Sequence, residues 1–256
     1  MIHLPTSPAA HPLFDLAAWA AGAATGWAIY RWRLKEATER LATRVGPGYF
    51  VALAGGAVTG AWLAGSLNTL QGPAPTLSHS IAGALAGAIV AVEIYKAARG
   101  IHGSTGGVFV GSLAMGIIVG RFGCLFSGLP DRTYGIATRL PWGVDLGDGI
   151  ARHPVQVYES LSVALFLVVY LIGLARRSPW AMRRGFYVFV AWYGAQRFVW
   201  EFLKPYPRLV GPFNLFHLIS AGLVIYGCVW FARDLRHGAD EKERAVSVPR
   251  SDHQPV

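Results

Sequence analysis

The sequence predicts an all-α integral membrane protein with seven transmembrane helices and a long outer-side loop between the fourth and fifth. Three observations predict it. Of the 256 residues, 53% are hydrophobic and only 14% are charged, whereas soluble domains carry about 25% charged residues. The 31 glycines lie largely among alanines inside apolar stretches, a composition commoner in membrane helices than in soluble ones. Seven stretches also approach the ~20 mainly apolar residues that a span requires. Disorder, coiled coil and collagen are excluded. Cys124 and Cys228 are far apart, with no CxxC and no His/Cys ligand spacing. No disulfide framework, metal site or cofactor is therefore expected.

The spans fall in order at Leu13–Tyr30, Gly48–Leu67, Leu77–Tyr95, Gly106–Gly120, Gln156–Ala175, Gly185–Leu203 and Phe213–Ala232. The first reads as a retained helix, because no positive segment precedes it and a basic one follows. The fourth is the shortest and runs into a glycine-rich break. Sixteen basic residues lie on one set of connections, among them Arg31, Arg33, Lys96, Arg176, Arg183 and Arg233. The opposite connections hold six: Arg121, Arg132, Arg139, Arg152, Lys204 and Arg208. By the positive-inside rule the N-terminus is outside and the C-terminus cytoplasmic. The net charge of +9 thus reflects membrane topology and lipid phosphate rather than nucleic acid. Residues 1–232 read as one membrane domain, and 233–256 as a disordered polar tail.

The loop from Arg121 to Pro154 lies on the outer side and holds four of the six basic residues there. Long connections are uncommon without a function, so the search for a site begins here. Asp145 and Asp148 within it fit a solvated turn better than a cation loop.

Polar residues inside spans need a reason. Tyr193, Arg197 and Glu201 are spaced by four, along one helical stripe. An Arg at a span's centre costs about 2.5–3.5 kcal/mol. The stripe fits either an interfacial ion pair or a guanidinium held for an anionic headgroup. Arg121, with Gly120 and Gly123 beside it, is either a snorkelling residue or a phosphate fork. Arg152, His153, Gln156, Tyr158 and Glu159 share one membrane depth at the start of the fifth span, as the lining of a lateral opening would. His79 stands on the same side as these arginines. Cys124 is a buried packing residue or an activated thiol.

Together these segments resemble the prolipoprotein diacylglyceryl transferase family of bacterial inner membranes. Gly120-Arg121-Phe122-Gly123, followed through Gly128 to Tyr134-Gly135, resembles the family's G-R-x-G-N-F-x-N-G-E-x-x-G signature. Pro141-Trp142-Gly143 resembles its P-W-G element. Arg152-His153-Pro154-Val155-Gln156-Val157-Tyr158-Glu159 resembles its R-H-P-x-Q-x-Y-E element, and Tyr193 to Phe202 its Y-G-x-x-R-x-x-x-E-F helix. The chain departs from the pattern at Cys124, where Asn is usual, and after Gly128, where Asp131 rather than Glu is the nearest acid. His79 takes the place of the family's H-G-G histidine with Ser80 and Ile81 behind it. The departures suggest a divergent branch with a GRxGC signature.

The resemblance implies transfer of the diacylglyceryl group of phosphatidylglycerol to the lipobox cysteine of a preprolipoprotein signal peptide. A thioether forms and glycerol phosphate leaves. It assigns Arg121 and Arg197 to the phosphate, with Glu201 and Tyr193 fixing Arg197, and His79 as the base. Arg152, His153, Gln156, Tyr158 and Glu159 shape the headgroup pocket, alongside Cys124 and Asp131. Gly123, Gly128 and Gly135 let the loop approach the lipid. The alternatives are a sister phospholipid-dependent transferase with another acceptor, and a transporter, against which the halves show no inverted repeat.

Overall fold

The computed structural model describes residues 1–70 and 77–247, with side chains through Arg236. Eight α-helices account for most of it. α1 (Ala10–Ile29) passes through a π-helical turn at Tyr30–Leu34 into α2 (Lys35–Arg44), and α3 (Pro47–Leu70) and α4 (Ile81–Ala98) form a hairpin. α5 (Val110–Ser127), α6 (Val155–Ala175), α7 (Pro179–Glu201) and α8 (Leu215–Ser247) complete the bundle. The two-stranded sheet joins β1 (Ile2–His3) to β2 (Val144–Asp145) in parallel.

Among the described residues, five helices are long and apolar enough to cross a membrane: Pro47–Leu70, Ile81–Arg99, Gly107–Ser127, Val155–Ala175 and Leu215–Arg236. α1 and α7 occupy the other two expected spans but fall short of that composition. Asp15, Gly22 and Gly26 dilute α1, while Arg183, Arg184, Arg197 and Glu201 interrupt α7. Large apolar side chains point outward all round the bundle, including Val51, Val58, Leu63, Leu161, Leu165 and Val169. So continuous an apolar exterior would be an association site in water and suits hydrocarbon instead.

Local chemistry sets the helix ends. Ser80 caps α4 by accepting the Gly83 N–H at 3.4 Å, one of the donors a helix start leaves unpaired. Asn214 and His217 cap α8 reciprocally. The Asn214 side chain accepts the His217 N–H at 3.0 Å, and His217 Nδ1 accepts the Asn214 N–H at 3.1 Å. Pro154 and Pro179 stand at the starts of α6 and α7, where a missing N–H costs nothing. α3 and α4 pack through Gly56 and Gly60 against Gly83 and Gly87. A Cβ on any of the four would collide with backbone of the facing helix, the close approach that small-xxx-small spacing permits.

Two expectations change. The fourth span does not end at Gly120, because α5 runs unbroken to Ser127 and stops at Gly128 with φ +72°. Arg121, Gly123 and Cys124 therefore sit on a helix, and the loop begins at Gly128. Leu125 and Phe126 keep the apolar pattern going past the glycines, and glycine in lipid does not break a helix. At the other end, α8 continues through Arg233 to Ser247. The rest of the predicted tail, 248–256, lies outside the described residues, as does the 71–76 segment before the expected third span.

The loop is an ordered cap. Ile136 N–H donates to the Leu203 carbonyl at 2.7 Å and His153 N–H to that of Ile136 at 3.0 Å, while Val144 and Arg152 exchange a pair of bonds at 2.9 Å. Through β1 and the end of α7, the cap is tied to the end of the bundle where α5 stops and α6 begins.

Candidate functional site: an arginine-lined cavity

A cavity of about 1120 Å³ opens between α1, α3, α4, α5 and α7. Its walls combine Ala, Gly and Leu with aromatic side chains such as Trp19, Phe186, Phe189 and Phe216, and one end holds His11, His79, Arg121, Asp131 and Arg197.

Behind the two arginines lies a buried charge cluster. Glu159, the fifth residue of α6, is fully buried. Its carboxylate takes Arg121 Nε at 2.5 Å, Arg197 Nη1 at 2.9 Å and Lys204 Nζ at 2.6 Å. Glu201, also buried, pairs with Arg197 Nε at 3.0 Å and lies 3.8 Å from Lys204 Nζ. Asn214 donates to Glu201 at 3.3 Å, which ties the capped start of α8 to the site. Arg197 also lies over the Phe216 ring, 5.3 Å from its centroid. Each guanidinium is thus held from behind by carboxylate while reaching the cavity. Three cations against two carboxylates leave one positive charge in excess, at a place water barely reaches.

The structure brings Arg121, Arg197 and Glu201, expected in one function, together with Glu159, which was expected to shape the headgroup pocket. Glu159 does not line the headgroup pocket; it bridges both arginines from behind. Tyr193 lines the cavity beside Arg121, and the carboxylates that pair with Arg197 are those of Glu159 and Glu201. Lys204, Asn214 and His217 were missed. Lys204 follows Glu201 by three residues, a spacing that places both on one face, and that signal was available.

The expected pocket residues around the start of α6 face the cap instead. Arg152 binds Asp148 through two nitrogens at 2.6 and 2.7 Å and stacks over Tyr134. Tyr158 accepts from Trp142 Nε1 at 2.8 Å and lies 3.4 Å from His153 Nδ1. None of Arg152, His153, Gln156 and Tyr158 lines the cavity. The side chains follow α6's helical period: Tyr158 packs on Trp200 of α7, and Glu159 reaches Arg121 and Arg197. The glycines are likewise already filled: Gly123 receives Phe14, Gly128 receives Thr6, and Gly135 receives the His153 carbonyl. They admit protein rather than lipid. Asp145 Oδ1 accepts the N–H groups of Gly147, Asp148 and Gly149 at 2.9, 3.1 and 2.9 Å. Its lone pairs are used by a turn, so no cation loop forms there.

At the cavity mouth, His79 precedes the Ser80 cap and faces His11, their ring centroids 6.1 Å apart. His11 lies against Asp131, Asp15 and Cys124. Arg121 Nη1 lies 4.0 Å from Cys124 Sγ. Burial alone would raise the Asp131 carboxyl, but hydrogen bonds from His11 and Thr133 outweigh it and hold the group below the usual carboxylate range. His11 escaped the sequence reading because Cys124 and Asp131 lie more than a hundred residues along the chain.

Fold and site define an all-helical protein of membrane-spanning helices with an arginine-lined cavity at one end. The chain belongs to the prolipoprotein diacylglyceryl transferase family, whose model matches residues 17–233. A phosphatidylglycerol–prolipoprotein diacylglyceryl transferase of Geobacter sulfurreducens is 33% identical over 121 residues, 44% of each chain. A protein of the same name from Solidesulfovibrio magneticus is 36% identical over 129 residues, 46% of each. One from Cupriavidus pinatubonensis is 31% identical over 180 residues, 64% of this chain and 62% of that protein. The chain spans about half the length of the first of these curated relatives. No solved structure matches it.

Proposed function

We propose that this protein transfers the diacylglyceryl group of phosphatidylglycerol to the lipobox cysteine of a preprolipoprotein. The observation that carries the reading is the buried cluster, one positive charge in excess, presented by Arg121 and Arg197 to a large apolar-walled cavity. Acyl chains fit the Ala, Gly and Leu walls, and the headgroup phosphate meets the arginines.

The acceptor sulfur attacks the glycerol carbon, the carbon–oxygen bond breaks, and glycerol phosphate leaves with the electron pair. The departing phosphate gains negative charge, which guanidinium forks held in place can stabilise. Glu159 and Glu201 are positioning residues that keep both forks aimed. A free thiol has a pKa near 8.5, so the acceptor needs a base, and His79 at the cavity mouth is placed to serve. Asp131 and Cys124 flank it. The relatives' printed names describe the same reaction.

The chain then sits in the bacterial inner membrane with seven spans, α1 and α7 included, N-terminus outside and C-terminus cytoplasmic. Residues 1–232 form the catalytic domain, followed by the cytoplasmic tail. The loop cap and the charge cluster lie at one end of the bundle, and the positive-inside count puts that end outside.

The test uses purified protein in phosphatidylglycerol vesicles with a lipobox peptide, read by mass spectrometry. A diacylglyceryl adduct on the Cys peptide, absent from a Ser peptide and from Arg121→Ala enzyme, is the expected result. Lipid turnover without peptide modification would replace this reading with that of a sister transferase using another acceptor.

A further inference from the structure

Asn214, the residue before α8, does more than cap that helix. It is 2% exposed, and both polar atoms of its side chain are engaged. Oδ1 accepts the His217 N–H at 3.0 Å, while the Asn214 N–H donates to His217 Nδ1 at 3.1 Å. The bond at Oδ1 fixes which way the amide faces, so Nδ2 is free to donate to Glu201 Oε1 at 3.3 Å. The other oxygen, Glu201 Oε2, lies 3.0 Å from Arg197 Nε. Asn214 itself does not line the cavity, whereas Arg197 does.

The surroundings carry a second observation. The His217 ring packs against Phe198, Phe202 and Phe213, at centroid distances of 5.0, 4.3 and 5.5 Å. Phe198 and Phe202 flank Glu201 at the end of α7. The cap is therefore clamped to the same turn that carries the carboxylate. Phe216, the second residue of α8, lies under the Arg197 guanidinium, 5.3 Å away. The start of α8 thus holds Arg197 from two sides.

The charge of the donor matters as much as its place. Arg121, Arg197 and Lys204 face Glu159 and Glu201. An acid at 214 would cancel the excess positive charge, and a neutral amide satisfies Glu201 without touching it. We propose that Asn214 is a positioning residue: its amide holds the carboxylate that aims Arg197, and its neutrality preserves the charge offered to the lipid phosphate. This role rests on the transferase reading above and acts wholly through Glu201.

Full-length Asn214→Asp and Asn214→Ser are compared with the parent in the vesicle and peptide assay, with phosphatidylglycerol retention read by native mass spectrometry in detergent. Asp and Ser cap helices about as well as Asn, so melting temperatures should stay near the parent's. Asp adds a third carboxylate, so lipid retention should fall about tenfold or more, the scale of one charged hydrogen bond, and KM should rise with it. Ser keeps the charge but is too short to replace the amide at Glu201. Its lipid retention should hold while kcat falls about 10–100-fold, as misplacement by about 1 Å produces. Parent-like transfer and retention in both variants overturns the positioning role and leaves the transferase reading. An equal loss in both that follows a lowered melting temperature also overturns it, reducing Asn214 to a cap. No thioether from the parent, with retention still lost in Asp and kept in Ser, removes the transferase reading and leaves Asn214 guarding the charge of an anionic-lipid site.

Discussion

The helix-end cluster and the outer cap use the same chemistry to different ends. Both contain arginine gripped by carboxylate. In the cap, Arg152 and Asp148 satisfy each other through two bonds and stack on Tyr134, so the pair is closed. In the cluster, Glu159 divides one carboxylate among Arg121, Arg197 and Lys204, and Glu201 brings the count to two acids for three bases. Such an arrangement is unfinished: it is stable enough to be held by the helices and charged enough to take an anion. A matched pair builds structure, whereas a mismatched buried group builds a site.

That contrast can be broken by substitution. Arg121→Ala or Arg197→Ala should abolish transfer, by about 10³-fold or more given what single charge-stabilising donors contribute. Both variants should still insert and purify. Residual activity within about tenfold of the parent, measured by the peptide assay, would remove the cluster from the chemistry.

Glu159→Gln attacks the cluster from behind. Removing one member of a buried ion pair costs about 3–5 kcal/mol, and here three cations lose their shared partner. Thermal unfolding in detergent should drop sharply, and transfer should fall with it. An unchanged melting temperature would mean that the arginines do not depend on Glu159.

Arg152→Ala sharpens the comparison from the other side. Its pair is partly solvent-exposed, so about 1 kcal/mol of stability is at stake, and kcat should stay within about tenfold. A loss matching that of Arg121→Ala would move the cap into the site.

The smallest effect concerns acid. The N–H groups of Gly147 and Gly149 hold the Asp145 carboxyl below its usual range, and the Arg152 pairing does the same for Asp148. Carboxyls depressed in the folded state contribute stability that is present above about pH 4 and lost as pH falls through the lowered value. Thermal stability should fall as the pH drops below about 4, and Asp145→Asn should blunt that dependence. An identical acid profile in the variant would show that the turn does not titrate with folding.

Much of this molecule is legible along the chain. Apolar length marked the helices, and the four-residue spacing of Arg197 and Glu201 predicted an ion pair that forms at 3.0 Å. The spacing Gly56-x-x-x-Gly60 facing Gly83-x-x-x-Gly87 belongs to the same local grammar. Misreadings arose where a residue's meaning depends on direction. Gln156, Tyr158 and Glu159 are neighbours in sequence, but helical rotation brings only Glu159 of the three to Arg121 and Arg197. Gly123 and Gly128 read as freedom for a loop, yet Phe14 and Thr6 occupy the space they leave.

The sequence by itself determined the class of fold and singled out the two arginines, because hydropathy and periodicity are properties of short segments. Tertiary structure alone decided that Glu159 holds both guanidinium groups. It also set Lys204 beside Glu159 and brought His11 to Cys124 and Asp131. Those partners lie from 38 to 45 residues apart in the cluster and farther still at the cavity mouth. No local pattern encodes the orientation of helices on which such meetings depend.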